Sequence, residues 1–135
     1  MGKARPIAPG LFTEDVGEPR LLAGRCASCR ELHFPAADTC PYCGAGAVAQ
    51  PIGSRGTLRL FTVVATAPPG YRGPVPYGFG VVEVEASGLC VVSRLEEAAL
   101  ERLAPGLPMH LVIAPLFSDA EGCDVLSWSF ARDES

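Results

Sequence analysis

The chain has 135 residues, a formal net charge of −4 and a pI near 5.1. Its length suffices for one hydrophobic core, and 15 glycines with 13 prolines favour turns over long helices. The acidic balance argues against non-specific nucleic-acid binding, and no stretch reaches the roughly 18 apolar residues of a membrane span. Because the first residues also lack the apolar core of a secretory signal, we expect a cytoplasmic protein with no membrane partner.

The first chemical motif along the chain is a pair of Cys-x-x-Cys sequences, Cys26/Cys29 and Cys40/Cys43, which hold four of the six cysteines. Each such turn can point two thiolates at one ion, and two turns complete the tetrahedral shell that Zn²⁺ prefers. We therefore predict a zinc ribbon over residues 23–48. The reducing cytosol and the lack of a βαβ pattern disfavour a disulfide or a thioredoxin-like site. Iron shares this ligand set, so the sequence leaves it open beside zinc.

The predicted metal is a single structural ion, because four thiolates leave no open position for water or a substrate. Arg25 and Arg30 flank the first cysteine pair, either to offset the negative charge of the centre or as ordinary solvated surface. His33 lies between the two pairs. With four cysteines available, we interpret His33 as a residue of the finger rather than a ligand.

The remainder of the chain is predicted to be rich in β-strands. Residues 1–22 form an N-terminal segment, and residues 50–56 are a linker between the ribbon and a second domain over 53–132. The elements predicted in that domain are a strand over 57–67, a loop over 67–78 with four prolines, a strand–turn–strand unit over 79–95, a helix over 96–103, and strands over 109–115 and 124–131. This order matches a mainly β fold, a five-stranded OB-type barrel with one short helix between its third and fourth strands.

Alternation along the last predicted strand places Leu126, Trp128 and Phe130 on one face, opposite serines. We predict these three side chains to be core, with a ligand-stacking role for Trp128 as the alternative. Cys90 lies in a strand between apolar neighbours and is predicted to be buried. Cys123 lies in a turn, where exposure is expected. No histidine or cationic cluster lies beside either thiol in the sequence, which argues against a nucleophilic role.

Several stretches together carry a family resemblance. They are LLAGRCASC, HFPAADTCPYCG, GTLRLFTVVATAPPGY, VPYGFGVVEVE and APGLPMHLVIAPL. With them the chain resembles the DUF35 family over nearly its whole length, a family that joins a rubredoxin-like zinc ribbon to an OB-fold. The chain departs from the family where Arg30 replaces a frequent glycine, where 49–51 lack a frequent tryptophan, and where an aromatic-x-Pro ending is missing. These departures affect the assignment to a subfamily more than the resemblance to the family.

The resemblance implies an accessory role. DUF35 proteins look like partners of thiolase-fold enzymes, including thiolases, lipid-transfer-protein type aldolases and acyltransferases, in which the enzyme supplies the reacting groups. The expected function is a non-catalytic, zinc-containing subunit of an acyl-CoA-processing hetero-oligomer in lipid or aromatic acid metabolism. It would stabilise the enzyme and help to shape the site of the CoA ester, so that acyl-CoA reaches this chain only through the complex.

The residues themselves are compatible with that role. No Ser–His–acid order, Gly-rich phosphate loop or HExxH motif is present, so no catalytic residue is predicted, and no ligand of a further cofactor is assigned. The proline-stiffened loop is predicted to contact the partner or a substrate channel, because proline lowers the entropy lost on binding and tyrosine suits interfaces. The alternative is a loop that only caps the barrel. The predicted contact residues are Pro68, Pro69, Tyr71, Pro76 and Tyr77.

A nucleic-acid-binding module is the competing interpretation, since zinc ribbons and OB-folds both serve that purpose. Such a module needs a basic groove with exposed aromatic side chains. The predicted barrel has only scattered arginines, and no lysine follows Lys3. We therefore expect no nucleic-acid partner.

Overall fold

The computed structural model describes residues 3–13 and 18–133, and nearly all of its regular structure is β-strand. The strands are β1 (Ala4–Pro6), β2 (Leu22–Cys26), β3 (Leu32–His33), β4 (Ala47–Pro51), β5 (Arg55–Val64), β6 (Tyr77–Val84), β7 (Cys90–Leu95), β8 (Pro108–Ser118) and β9 (Asp124–Arg132). They form a three-stranded sheet in the order β3-β2-β4, the ribbon, and a larger sheet that contains the remaining strands. The predicted mainly β fold is confirmed.

The larger sheet closes into a barrel. Strands β5, β6, β7, β9 and β8 follow one another around it, and β8 pairs back to β5. Neighbouring strands are antiparallel except β7 and β9, which run parallel where Leu95 meets Phe130. Five strands in this order, with one parallel contact, form an OB-type barrel. The predicted five-stranded barrel is therefore confirmed.

The N-terminal segment forms part of the barrel sheet. Strand β1 adds in parallel to β9, and the Asp124 N–H donates to the Lys3 carbonyl oxygen at 2.7 Å. Further along, Phe12 and Leu21 pair with each other and are both buried. One hydrophobic cluster thus joins these segments to the barrel. Its buried members are Phe12, Leu21, Ala23, Ile52, Leu58, Val82, Val84, Val91, Leu95, Leu103, Met109, Leu111 and Phe130.

Two predictions about the last strand and the outer face need correction. In β9, Phe130 is fully buried, but Leu126 and Trp128 are only half-buried and pack against the edge of the core. The prediction that Cys90 is buried is wrong, because Cys90 is exposed. Successive residues of a strand point to opposite faces, and Val91 takes the inward position.

The helix predicted over 96–103 is also wrong in type and length, since only a 3₁₀ turn forms at Leu100–Arg102. The Glu96 N–H donates to the Phe130 carbonyl oxygen at 2.9 Å. Glu96 is therefore still hydrogen-bonded to the barrel sheet. No side chain caps the turn at Ala99. The few residues left before Pro105 are too short a run to offset the cost of starting an α-helix. Among the residues described, no helix has the length and apolar character to cross a membrane.

Candidate metal centre and the adjoining barrel loop

The four ribbon cysteines converge at one end of the three-stranded sheet. Cys26 ends β2 and Cys29 follows it within one turn, while Cys40 and Cys43 form a second turn before β4. All four Sγ atoms lie within 4.8 Å of one another, with 3.3 Å from Cys26 to Cys43 and 3.7 Å from Cys29 to Cys40. Thiolates held about 2.3 Å from a tetrahedral zinc are about 3.8 Å apart. The cluster therefore has the dimensions of a Cys₄ metal site.

Backbone N–H groups hold the first sulfur of each turn. The N–H groups of Ser28 and Cys29 each donate to Cys26 Sγ at 3.3 Å, and the Tyr42 N–H donates to Cys40 Sγ at 3.4 Å. Hydrogen bonds of this kind favour a thiolate over a thiol. Cys26 and Cys40 are also buried, whereas the second cysteine of each pair is exposed. The cluster is thus anchored to the ribbon through the first cysteine of each pair.

The thiols of the cluster have strongly different proton affinities. The Cys29 N–H is the largest influence on Cys26, and together with the Ser28 N–H it lowers the pKa of that thiol to about 6, against the effect of burial. At Cys29 the Glu31 N–H acts to lower the pKa, but desolvation of the sulfur within the cluster and the neighbouring thiols outweigh it and raise the pKa to about 12. Like charges this close resist joint ionisation unless a cation lies between them. The donor set therefore fits a metal cation.

Both cysteine turns end in a left-handed residue. Gly44, with φ of +81°, follows the second pair, and Arg30, with φ of +65°, follows the first. Glycine adopts this conformation freely, whereas a residue with a Cβ is strained by roughly 1–2 kcal/mol. The two turns are thus similar in backbone, and Arg30 occupies a position that favours glycine.

His33 contributes packing to the finger. It is buried, its Nε2 accepts a hydrogen bond from the Ala37 N–H at 3.0 Å, and its ring lies against Gly24 where a Cβ would collide with it.

Two exposed arginines, Arg25 and Arg30, lie beside the metal cluster. Arg25 donates to the Gln50 side-chain oxygen at 3.0 Å and to the Arg30 carbonyl oxygen at 2.7 Å, which fixes its guanidinium beside the first turn.

The proline-rich loop before β6 is held by a tyrosine pair. Tyr71 packs on Tyr77 with ring centroids 4.6 Å apart, and its hydroxyl donates to the Pro74 carbonyl oxygen at 2.8 Å. Arg94 of β7 donates to the same hydroxyl at 3.3 Å. Tyr77 is the first residue of β6 and only 8% exposed, so it supports the loop and offers little surface of its own. Of the five loop residues predicted to contact a partner, the exposed ones are Pro68, Pro69 and Pro76.

A pocket of about 510 Å³ near the start of β8 brings a serine, a histidine and an acid together. The Ser54 hydroxyl donates to Glu18, however, and His110 Nδ1 lies 3.8 Å from Asp133, which pairs with Arg55. In a Ser–His–acid triad the serine hydroxyl donates to the histidine, which acts as the general base. These side chains therefore do not form the relay of a hydrolytic triad.

The converging thiols and the closed barrel define a zinc-ribbon protein with an OB-fold. Two models of the ChsH2 family match consecutive parts of the chain. The model of its rubredoxin-like zinc ribbon domain matches residues 13–49, and the model of its C-terminal OB-fold domain matches residues 49–114. Together they span residues 13–114, more than half of the chain.

Similar curated proteins come from bacteria and archaea. DUF35 domain-containing scaffold proteins of Pyrococcus furiosus and Methanocaldococcus jannaschii are 26% and 23% identical, over 82% and 75% of this chain and 82% and 72% of their own lengths. A probable enoyl-CoA hydratase alpha subunit of Thermomonospora curvata is 30% identical over 75% of this chain, but the chain spans only 31% of that protein.

A solved structure described as Ltp2-ChsH2(DUF35) aldolase matches with a TM-score of 0.64 and 25% identity, over 84% of both chains. The resemblance noted in the sequence is thereby confirmed, and the chain belongs to the DUF35 family.

Proposed function

We propose that this chain is a non-catalytic, zinc-containing accessory subunit of an acyl-CoA-processing complex, bound to an enzyme subunit of the thiolase fold. The supporting observation is the union of a four-thiol ribbon and an OB barrel in one chain, aligned over 84% of its length with the Ltp2-ChsH2(DUF35) aldolase structure. The names of two relatives describe scaffold proteins, which favours the same division of labour. Under this proposal the protein is cytoplasmic and its partner supplies the reacting groups.

The metal of the proposed subunit is one structural Zn²⁺, bound by Cys26, Cys29, Cys40 and Cys43. When bound, the ion would offset part of the negative charge of the four thiolates and tie the two cysteine turns together. All four protein ligands are thiolates, which leaves no position for a substrate oxygen. The ribbon residues serve to hold the fold, and the chemistry of the acyl-CoA ester belongs to the partner.

The proposed subunit acts on its partner by stabilising it and by helping to shape the site of the CoA ester. We assign the contact to the loop that contains Pro68, Pro69, Tyr71 and Pro76. The tyrosine stack and the hydrogen bonds to Pro74 and Arg94 pre-organise this loop, which lowers the entropy lost on binding. Tyr77, the buried residue on which Tyr71 stacks, supports the loop.

The division of the chain into segments 1–22, 23–48 and 53–132 remains our prediction.

The charge distribution favours this proposal over a nucleic-acid-binding module. Three of the barrel arginines that could contact phosphates are paired with carboxylates within the chain. The pairs are Arg59 with Glu83 at 2.8 Å, Arg94 with Glu96 at 2.9 Å and Arg102 with Glu97 at 3.1 Å. Cations that are already neutralised contribute little to phosphate binding.

The test is affinity purification of the tagged chain from its native cells, followed by mass spectrometry and an acyl-CoA turnover assay. We expect a stoichiometric thiolase-fold protein, turnover by the complex and none by the chain alone. The Cys123→Ser variant, altered outside the cluster in the turn between β8 and β9, serves as the matched control for a Cys40→Ser variant. Recovery of nucleic acid that resists moderate salt, or turnover by the isolated metal-loaded chain, would overturn the proposal.

A further inference from the structure

The outer face of strands β5, β6 and β7 carries an exposed apolar row. Leu60 pairs with Val81 across the sheet, and Val81 pairs with Val92, so the three side chains form one continuous line. Leu60 is 66% exposed and Val92 56% exposed. In the next row, Phe79 is 40% exposed and lies between Thr62 and Arg94. We call these residues of the two rows the β5–β7 face.

A β-bulge creates the widest part of this face. The register between β5 and β6 shifts between Leu58 and Leu60, so Arg59 is the extra residue. As a result Leu58 is fully buried, whereas both Arg59 and Leu60 are exposed. Bulges of this kind re-aim side chains and recur at binding sites. A leucine turned outward in this way has no role in the barrel core.

The face continues into the proline-rich loop. Arg94, at the end of the Phe79 row, donates to the Tyr71 hydroxyl and lies over the Tyr77 ring at 5.8 Å. The loop therefore covers the sheet beyond Phe79 and borders the exposed rows on that side. A contiguous row of exposed apolar side chains beside a pre-organised loop is typical of an interaction site.

The charged side chains at the two ends of the face form ion pairs within the chain. Arg59 pairs with Glu83 at one end, and Arg94 pairs with Glu96 at the other. The centre between them is uncharged. The matching surface is therefore apolar and uncharged at its centre, because a charge placed there would be buried without a partner.

We propose that the β5–β7 face is the docking surface for the enzyme subunit, and that the subunit covers it with an uncharged apolar patch. This inference rests on the proposed function and names the part of the barrel that meets the partner. It differs from the loop contact alone, since the loop lies at one border of a larger buried surface centred on Leu60, Val81 and Val92.

A second copy of the chain fits this face less well. A two-fold axis along the strands would place the two proline-rich loops against each other. A two-fold axis across the strands would place Phe79 of one copy over the Arg59–Glu83 pair of the other. In an isologous dimer the same patch of both copies must be complementary to itself. Neither arrangement places the apolar residues of one copy against the apolar residues of the other over the whole face.

The test compares a Leu60→Thr/Val92→Thr double variant with a Val48→Thr control. Threonine is β-branched, a side-chain shape that strands favour, and it is more polar than leucine or valine. Val48 is 70% exposed on β4, away from the face. The probe is the enzyme subunit that copurifies with the wild-type chain, titrated against each purified, metal-loaded variant. We expect at least about 30-fold weaker binding by the double variant, as for loss of an interface hot spot, and unchanged binding by the control.

The possible outcomes separate this inference from the proposed function. If an enzyme subunit copurifies but the double variant binds it as tightly as the wild type does, the docking surface is wrong and the proposed function stands. If no enzyme subunit copurifies, both are wrong. If light scattering shows a wild-type dimer that the double variant loses, the face binds a second copy and our assignment is overturned. Equal melting temperature and metal content of both variants excludes misfolding as the cause of weaker binding.

Discussion

Phe34 of the ribbon finger meets Trp128 of β9 edge to face, with ring centroids 5.5 Å apart and ring planes at 81°. Phe34 directly follows β3, between the two cysteine turns, and both rings are half-buried against the core cluster. The contact joins the metal-binding finger to the barrel. Trp128, which the sequence offered as a possible ligand-stacking platform, thus packs against the chain's own phenylalanine.

Replacing Phe34 with alanine should loosen the ribbon from the barrel. We expect a loss of about 1–2 kcal/mol in the free energy of unfolding, below the roughly 3–5 kcal/mol for a fully buried phenylalanine. Amide hydrogen exchange should accelerate in the finger more than in β6 and β7. Chemical denaturation and exchange measure both effects. Tyr42→Ala, which removes an exposed ribbon aromatic, is the control, and equal losses in the two variants would contradict the contact's role.

The metal centre predicts different results for two cysteine substitutions. Cys40→Ser removes a buried member of the thiol cluster, so it should lose bound metal and unfold the ribbon, because metal binding supplies folding free energy. Cys90→Ser alters an exposed thiol outside the cluster and should keep the wild-type metal content. Elemental analysis of the purified proteins measures both. Full metal retention by Cys40→Ser would refute the ligand assignment, and iron in the wild type would refute zinc.

Arg30 and Gly44 allow a matched pair of backbone tests. Both residues are left-handed, and no atom lies near the position of a Cβ on Gly44. Arg30→Gly should stabilise the metal-loaded chain by about 0.5–1 kcal/mol, because relief of strain exceeds the extra freedom of glycine when unfolded. Gly44→Ala should destabilise it by about 1 kcal/mol. Thermal unfolding with zinc present tests both signs, and a change of the same sign in both variants would contradict the similarity of the two turns.

Asp119 makes the turn between β8 and β9 sensitive to acid. The Cys123 N–H, the Glu121 N–H and Arg5 all donate to its carboxylate and hold its pKa below the ordinary 3.8. A lowered pKa contributes stability above the ordinary value, and that stability is lost as the pH falls through the lowered pKa. Asp119→Asn should therefore lower the melting temperature near pH 7 and flatten its fall towards about pH 3. Melting curves across this range test it, and parallel curves for both proteins would count against it.

Much of this architecture was predictable because it follows local rules. The spacing of Cys26, Cys29, Cys40 and Cys43 indicates a shared metal, since each Cys-x-x-Cys turn needs only a few residues to orient two sulfurs. Alternation of apolar and polar residues likewise predicts the later barrel strands. The structure adds the left-handed Arg30, which the sequence marks only as a departure from a frequent glycine.

The features that sequence reasoning missed depend on contacts distant in the chain. Strand β1 includes a proline and is only three residues long, and it forms because β9, more than a hundred residues later, supplies its partner. The outward turn of Leu60 depends on the bulge at Arg59, which a period-two pattern does not contain. Glu96 remains on the barrel through Phe130, which leaves too little chain for the expected helix. In each case tertiary pairing overrides local preference.

Native mass spectrometry of the chain purified from its own cells tests the central claim most directly, because one spectrum reports metal, partner and stoichiometry together. We predict an assembly in which each 14.1 kDa chain carries one zinc and is bound to a thiolase-fold enzyme subunit. Dissociation in the gas phase should release the chain and the enzyme as separate polypeptides. A spectrum that contains only the free chain, or the chain bound to nucleic acid, would contradict the account.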